Sequence, residues 1–167
     1  SWPEGQGPIV FGSDVAFRMV DFSQRNAERA HVGQAIEFRG GDALQRLPPT
    51  PRAGVLLLNP PYGERIAAAG VAGRNAAERA RTHTIGREEA RSDDGFAADA
   101  FFERLAAHWK THYAGWTAWL LTPDLKLPGR MRLKESRRVP LWNGPIECRL
   151  FRFDLTARNP RPAATEA

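Results

Sequence analysis

Apolar and polar residues alternate along the chain in blocks that predict strands separated by helices. The first strand is predicted over residues 8–15, where a short apolar run ends in Gly-Ser-Asp. Residues 15–32 predict a helix, which Gly33 is expected to end. The apolar positions at roughly helical spacing in that segment are Val15, Met19, Phe22 and Ala30. A second strand over residues 35–44 also runs into glycine and aspartate, so the pattern repeats.

The most continuously apolar segment is Val55 to Leu58, which predicts a central parallel strand buried on both faces and followed by Asn59. Residues 67–98 are rich in alanine, arginine, glutamate and glycine, and predict a solvated helix and loop. Amphipathic spacing returns over residues 99–113, with Asp99 as a candidate N-cap and Gly115 closing the helix.

The C-terminal part of the chain predicts a strand followed by a β-hairpin. Residues 116–121 form the strand, and "RRVPLWNGPIECRLFRFDL" predicts a hairpin that turns at Asn143-Gly144. Strands separated by helices describe an α/β fold with an open, mostly parallel sheet, whose ligands bind outside the carboxyl ends of the strands. The final hairpin adds an antiparallel edge, and residues 156–167 have the composition of a disordered tail.

Composition narrows the class of protein. A chain of 167 residues with 42% hydrophobic content is expected to form one domain with one core. No apolar run of membrane-spanning length and no secretory signal is visible, which predicts a soluble cytoplasmic protein without a membrane partner. Cys148 is the single cysteine, expected to be a buried strand residue, and the pair His108 and His112 lacks a third ligand, so no metal site is predicted.

Net charge is +5 and the sequence pI is about 10.1, with arginine far more frequent than lysine. Arginine makes bidentate contacts to phosphate and stacks on bases, so a nucleic-acid partner is permitted, although GC-rich genomes also enrich arginine. The densest basic stretch lies between the strand predicted over residues 116–121 and the hairpin. It is the best candidate for RNA contact, with a solvated loop as the equal alternative. Its residues are Lys126, Arg130, Arg132, Lys134, Arg137 and Arg138.

The order of these motifs resembles the class I S-adenosylmethionine-dependent methyltransferases that modify exocyclic amino groups. In chain order they are a strand ending in Asp14, a strand ending in Asp42 and a strand ending in Asn59-Pro60-Pro61-Tyr62. The longer run "NPPYGERI" and the hairpin "LWNGPIECRLFRF" resemble the large-subunit ribosomal RNA guanine-N2 methyltransferases that carry an RNA-binding THUMP domain. The resemblance covers residues 8–154 and implies a partial catalytic domain over residues 1–155.

The resemblance implies a role for each residue of the Asn-Pro-Pro-Tyr motif. An exocyclic amine is a poor nucleophile, so two oxygens must accept its hydrogens and align its lone pair. The side-chain carbonyl of Asn59 and the peptide carbonyl of Pro60 are suited to this, because the prolines Pro60 and Pro61 fix the backbone. Tyr62 offers a face on which a flipped base stacks. The alternative is an ordinary strand-terminating turn.

The same resemblance implies that S-adenosylmethionine is the cofactor and assigns residues to it. Asp14 is expected to accept the ribose hydroxyls, with a helix N-cap as the alternative. Asp42 is expected to accept from the adenine amino group while Ala43 lines the ring, with a turn aspartate as the alternative. Asn59 lies at the junction of the cofactor and substrate sites, and no metal is required.

The chain departs from the family pattern at its start. Complete enzymes begin with a strand that leads into a glycine-rich loop around the cofactor, and "SWPEGQGP" does not supply it. We therefore expect a C-terminal fragment whose own cofactor affinity is uncertain. The leading hypothesis is methylation of a guanine N2 amine in 23S ribosomal RNA. The alternatives are a DNA adenine-N6 methyltransferase, which shares the motif, and a catalytically silent RNA-binding fragment.

Overall fold

A computed structural model of the chain describes residues 6–60 and 89–156, and the expected tail lies almost wholly outside these ranges. The strands are β1 Val10–Asp14, β2 Ile36–Gly40, β3 Val55–Leu58, β4 Thr117–Thr122, β5 Arg137–Asn143 and β6 Ile146–Asp154. The α-helices are α1 Phe17–Arg29, α2 Glu89–His112 and α3 Leu127–Arg130, and a 3-10 helix covers Gly33–Ala35. Two compact units result: one contains β1, α1 and β2, and the other contains β3 to β6 with α2 from residue 98 onward.

The first unit is a β-α-β element in which β1 and β2 are parallel. Their register runs from Val10 opposite Ile36 to Asp14 opposite Gly40. Gly12 lies against the ring of Phe38, and a Cβ at Gly12 would fall 2.8 Å from that ring. A larger residue is therefore excluded from this position without a shift of the neighbouring strand.

Helix α1 ends earlier than the sequence suggests. Its last residue is Arg29, and His31 takes up the left-handed conformation with φ of 57°. Gly33 instead begins the 3-10 helix that leads into β2, so the prediction that Gly33 ends the helix is wrong. The backbone amide of Ala30 donates to the carbonyl of Asn26 and that of His31 to the carbonyl of Glu28, both at 3.0 Å, which satisfies the end of the helix without glycine.

The second unit is built on a mixed sheet with the order β3-β4-β6-β5. Strands β3 and β4 are parallel, and β6 is antiparallel to both β4 and β5. The C-terminal antiparallel hairpin is therefore confirmed. Its two-residue loop is Gly144-Pro145, because Asn143 pairs with Ile146, which places the turn one residue later than predicted.

One face of this sheet carries the core of the second unit. Ala118, Leu120 and Thr122 of β4 are buried, as are the cross-strand partners Phe153 and Phe151 on β6. Helix α2 and the region around α3 add further buried apolar side chains: Phe102, Leu105, Ala106, Trp109, Leu127 and Met131. Burying one large apolar side chain stabilises a fold by about 1.5–3 kcal/mol, so this layer has its own source of stability.

Two expectations about these elements are corrected and one is confirmed. β3 is an edge strand of the four-stranded sheet, and the side chains of Val55 and Leu57 are 65% and 75% exposed, so it is not buried on both faces. Asp99 lies inside α2 rather than at its start, because the helix begins at Glu89. Gly115 does follow the helix end and has φ of 84°, which confirms its predicted role.

Candidate active site

The Asn-Pro elbow follows the last residue of β3, at the carboxyl edge of the parallel pair. Leu58 pairs with Leu120 of β4, and Asn59 is the next residue along the chain. As a residue Asn59 is exposed, whereas Pro60 is buried. An accessible asparagine beside a buried proline suits the acceptor role that the sequence predicts. Pro61 and Tyr62 lie outside the described residues, so their roles stay predictions.

The start of β3 is fixed by a close contact with an aromatic ring. The amide of Thr117 donates to the carbonyl of Gly54 at 3.1 Å. A Cβ at Gly54 would lie 3.1 Å from the indole of Trp116, which is buried and packs edge-on against Tyr113. The strand that delivers Asn59 is therefore anchored one residue before it begins.

Asp14 and Asp42 lie side by side at the carboxyl ends of β1 and β2 in the first unit. The amide of Gly41 donates to the carbonyl of Asp14 at 3.0 Å, which joins the two strand ends. Oδ1 of Asp14 accepts from the amide of Ala16 at 2.7 Å, and Oδ1 of Asp42 accepts from the amide of Leu44 at 2.9 Å. Both carboxylates are exposed and held by their own backbone.

The alternative roles of these aspartates were a helix N-cap for Asp14 and a turn for Asp42, and only the turn is found. The N-cap of α1 is Ala16, which has no side-chain capping bond, so Asp14 is not the cap. Asp42 does form a turn, since the amide of Gln45 donates to its carbonyl at 3.0 Å. Within that turn, the amide of Leu44 occupies one carboxylate oxygen of Asp42, Oδ1. Within residues 6–60 and 89–156, no donor reaches Oδ2 of either aspartate, and Ala43 is half-buried beside them.

Three of the predicted RNA-binding cations line a cleft of about 1100 Å³ in the second unit. These are Arg130, Arg132 and Lys134, which face residues of α2 such as Glu103 and Lys110 across the cleft. The ammonium of Lys110 donates to the carbonyl of Arg132 at 2.9 Å, and Arg130 forms an ion pair with Asp124. Within the described ranges no acidic side chain pairs with Arg132 or Lys134, so both charges are available to an anion.

The cleft reaches the edge of the sheet opposite to Asn59. One of its walls is the end of β6, where Asp154 pairs with Thr117 at the amino end of β4. The hydrogen bond from Ser136 and the charge of Arg152 lower the pKa of Asp154 despite the opposing effect of desolvation. Asn59 lies at the other end of the same strands, so the structure does not bring the cleft cations to the elbow.

Of the remaining predicted cations, Lys126 is the N-cap residue of α3, and Arg137 and Arg138 begin β5. Arg138 pairs with Glu135 at 2.7 Å, and its guanidinium lies 5.3 Å from the centre of the Phe151 ring. The hydrogen bond from Arg138 lowers the pKa of Glu135. Arg137 pairs across the strands with Arg152. These contacts give Arg138 a structural role in addition to the predicted one.

One aromatic residue near the carboxyl edge was not singled out from the sequence. Trp142 lies at the tip of the β5–β6 hairpin, and its side chain is 67% exposed. The sequence signal for it is that Trp142 directly precedes the Asn-Gly dipeptide of the predicted turn, where a buried aromatic residue is not expected. The sequence linked the hairpin to the fold and to the family resemblance, and predicted no role for Trp142.

Metal and membrane features can be assessed over the described part of the chain. No cluster of three potential metal ligands occurs there, and the rings of His108 and His112 contact each other at 4.7 Å. Cys148 is fully buried in β6, as predicted. None of the helices in these ranges combines the length and apolar character needed to cross a bilayer.

Known proteins resemble this chain in sequence and in fold. Residues 4–75 match the family UPF0020, described as the RMKL-like methyltransferase domain. The ribosomal RNA large subunit methyltransferase K/L of Psychromonas ingrahamii is 30% identical over 151 residues, which cover 90% of this chain and 17% of that protein. The chain thus spans about a sixth of the length of the curated relatives it matches.

Solved structures match the fold over nearly the whole chain. A protein from Clostridium difficile 630 described as a possible methylase superposes with a TM-score of 0.67 at 22% identity, covering 95% of this chain and 34% of that one. The protein SMU.472, complexed with SAH, superposes with a TM-score of 0.63 at 19% identity, covering 91% of this chain and 32% of that one. The fold is therefore the Rossmann-like fold of class I methyltransferases, and residues 4–75 match the model of the RMKL-like methyltransferase domain family.

Proposed function

We propose that the protein carrying this domain transfers a methyl group from S-adenosylmethionine to the N2 amine of a guanine in large-subunit ribosomal RNA, in the cytoplasm. The observation that carries the proposal is the exposed amide of Asn59 at the carboxyl end of β3, backed by the buried Pro60. The K/L methyltransferase name of the relatives supports ribosomal RNA as the substrate class.

The two aspartates of the first unit suit the cofactor. Asp14 and Asp42 are exposed residues whose Oδ1 atoms are held by nearby backbone amides, and among the described residues no donor reaches Oδ2, so each carboxylate is oriented without being neutralised there. Asp14 would accept the ribose hydroxyls, and Asp42 would accept from the adenine amino group beside Ala43. When bound, S-adenosylmethionine supplies an electrophilic methyl group on a sulfonium, and SAH, the product of methyl loss, is present in the complex of SMU.472.

Asn59 and Pro60 would act on the amine. The side-chain carbonyl of Asn59 accepts one N–H hydrogen and the peptide carbonyl of Pro60 accepts the other, which directs the nitrogen lone pair away from the ring. Because a proline fixes its own φ and carries no N–H, the second acceptor stays in place without a competing local donor. The amide oxygen need not take up a proton, so the amine releases its proton to solvent as the new N–C bond forms. Orientation supplies most of the rate gain.

The remaining site residues are assigned to RNA. Tyr62 would stack on the flipped guanine, and the cleft cations Arg132 and Lys134 would contact phosphates away from the elbow. Arg130, Arg137 and Arg138 complete this basic strip, although two of the three already have partners on the protein: Arg130 pairs with Asp124 and Arg138 with Glu135. Phosphate contacts of this kind position the RNA without reading its sequence.

The decisive test deletes the gene and maps methylated guanines in 23S ribosomal RNA by mass spectrometry. One N2-methylguanine is expected to disappear and to return when the full-length gene is restored. Restoring the Asn59→Ala variant should leave the mark absent or strongly reduced, since losing one preorganised hydrogen-bonding group lowers turnover by about 10²–10³-fold. The matched control is Asn26→Ala, an exposed asparagine on α1, which should restore the mark fully.

Two outcomes would contradict the proposal. Loss of an N6-methyladenine mark from DNA with ribosomal RNA unchanged would identify the DNA enzyme instead. If the deletion changes no mark while the purified protein binds RNA, the protein is a silent RNA-binding module. Full activity of the Asn59→Ala variant would reject the role given to that amide.

A further inference from the structure

The β5–β6 hairpin extends beyond the elbow at the same edge of the sheet. β5 runs in the same direction as β4, because both are antiparallel to β6. Leu58 is level with Leu120, which pairs with Phe151, which in turn pairs with Arg138. Asn59 is therefore level with Val139, and Trp142 lies three residues further along, or about 10 Å beyond the elbow.

The distance between Trp142 and Asn59 follows from the strand order. Strands β3 and β5 are separated by β4 and β6, so three strand spacings of about 4.8 Å divide them. Combined with the offset along the strands, the separation is roughly 17 Å before sheet twist is considered. Trp142 is too far away to contact the target guanine, and instead lies where neighbouring nucleotides of the same RNA strand would pass.

Trp142 is presented to solvent on a short, constrained hairpin. Its side chain is 67% exposed, and its neighbours at the tip, Leu141 and Ile146, are 40% and 45% exposed. Gly144 has φ of 61° and is followed by Pro145, which completes the two-residue loop. An exposed indole on a hydrogen-bonded strand loses little conformational freedom when a flat ring stacks on it.

The charges beside Trp142 are balanced and do not oppose a nucleic acid. Glu147 lies directly across from Trp142, and Arg149 pairs with that carboxylate at 2.8 Å, which offsets its charge. Strands β5 and β6 together contain four arginines and two acidic residues. The arginines other than Arg149 lie toward the end of the hairpin away from Trp142, where Arg138 and Arg152 pair with Glu135 and Asp154. Aromatic faces combined with a basic surface are the usual platform for unpaired bases.

We propose that Trp142 stacks on an unpaired base of the RNA strand that flanks the target guanine. Trp142 would thereby hold the strand beside the elbow and help to set which guanine is methylated. This inference rests on the proposed function for its substrate. It gives an RNA-binding role to Trp142, which is separate from the acceptors Asn59 and Pro60, the two aspartates and the basic cleft.

The first test measures RNA binding by the purified full-length protein. The probe is a fluorescein-labelled single-stranded RNA of mixed sequence, and the variants are Trp142→Ala, Trp142→Leu and Trp142→Phe. Loss of a stacking aromatic lowers affinity by about 5- to 150-fold, so the alanine and leucine variants should bind more weakly within that range. The phenylalanine variant should bind nearly as the parent does, because it keeps a flat face.

Leu141→Ala is the matched control, because Leu141 is also an exposed apolar residue at the tip but points to the opposite face of β5. It should leave RNA affinity unchanged. Unfolding midpoints of all variants should match that of the parent protein, since the position is exposed. Equal affinity of Trp142→Ala and the parent, or an equal loss in Leu141→Ala, would overturn the proposal.

The second test identifies the stacked nucleotide. An abasic site is moved along an RNA that spans the guanine mapped by the deletion experiment. One flanking position should weaken binding to the parent protein about tenfold and have no effect on Trp142→Ala, because the ring that it stacks on is already absent. If the abasic site weakens both proteins equally, that base does not contact Trp142 and the proposal fails.

These outcomes separate the two proposals. If the parent protein methylates RNA but Trp142→Ala binds RNA normally, only the stacking proposal fails. If Trp142→Ala loses RNA affinity but the parent protein modifies no ribosomal RNA, the proposed function fails and the base platform stands.

Discussion

The two units of this chain differ sharply in how much apolar surface they bury. In the first unit, the buried apolar residues among those described are Val20, Ala27 and Ala35, while Phe17 and Ile9 are 79% and 67% exposed. The second unit buries large side chains on β4, β6, α2 and α3. Asn59 thus follows an edge strand of the unit with the larger core, whereas Asp14 and Asp42 lie in the thinly packed unit.

Under the proposed function, this difference separates the effects expected of mutations in the two units. Acceptor oxygens must be preorganised, which requires a strand fixed on a core. Carboxylates that bind a cofactor can be ordered as it binds, because a ligand stabilises the state that it selects. We therefore expect mutations in the second unit to act on folding and turnover, and mutations in the first to act on cofactor affinity.

The largest expected effect is on stability, from truncating the core of the second unit. Phe151→Ala should lower the free energy of unfolding by about 3–5 kcal/mol, because Phe151 is fully buried and its removal leaves a cavity. Phe17→Ala, at the exposed start of α1, should change it by less than about 0.5 kcal/mol. Urea unfolding of the full-length protein measures both. Similar losses would mean that the first unit has a core that the described residues do not show.

The next effect separates cofactor binding from turnover. Asp14→Asn should raise the KM for S-adenosylmethionine by about 10- to 150-fold, the value of one hydrogen bond to a charged group, with little change in kcat. Asp21→Asn, an exposed aspartate on α1 that pairs with Arg25, is the control and should leave KM unchanged. Steady-state kinetics at saturating RNA would decide. A loss confined to kcat would contradict the division between the two units.

A smaller effect tests the packing between β1 and β2. Gly12→Ala should destabilise this pair by about 1–3 kcal/mol, because the new methyl group would overlap the Phe38 ring. Hydrogen exchange should become faster in β1 and β2 and stay unchanged in β4 and β6. Gly129→Ala provides the control, since a Cβ there meets nothing within 4 Å. Equal changes in all four strands would show that the units unfold together.

The smallest effect concerns the ion pair between Glu135 and Arg138 in the second unit. Glu135→Gln should lower stability by about 0.2–1 kcal/mol at neutral pH, as expected for an exposed pair. Because the hydrogen bond from Arg138 lowers the pKa of Glu135 in the folded state, its contribution is complete above the ordinary pKa of 4.5 and lost as pH falls through the lowered value. Thermal unfolding of both proteins between neutral and acidic pH should show their difference shrinking. A difference that grows with acidity would reject this assignment.

Much of the fold could be predicted because strand and helix periods differ and the chain keeps them distinct. The bounds of β3 were predicted as they occur, since four consecutive apolar residues have few other interpretations. Its burial was not, because sequence alone does not show which strand edges are covered. The early start of α2 was missed because residues 89–98 offer few large apolar positions, although the backbone continues the helix there.

The positions of the strand-end residues were predicted to a similar extent, whereas their roles stay predictions. Polar residues such as Asp14 and Asn59 can be found from sequence because each directly follows, or ends, an apolar strand. The position of the basic cleft could not be predicted. It depends on the path that the chain takes across the sheet before β5. Trp142 is exposed because the hairpin extends beyond the ends of the neighbouring strands. This length follows from the strand register, which the sequence does not show.

The missing side chain at Gly54 bears on the position of Asn59. Four residues of extended backbone connect this glycine to that asparagine. A methyl group at residue 54 would lie 3.1 Å from the indole of Trp116, so the ring or the strand would have to give by a few tenths of an ångström. Under the proposed function, a side chain added before the start of β3 would therefore be felt at the amide that follows its end.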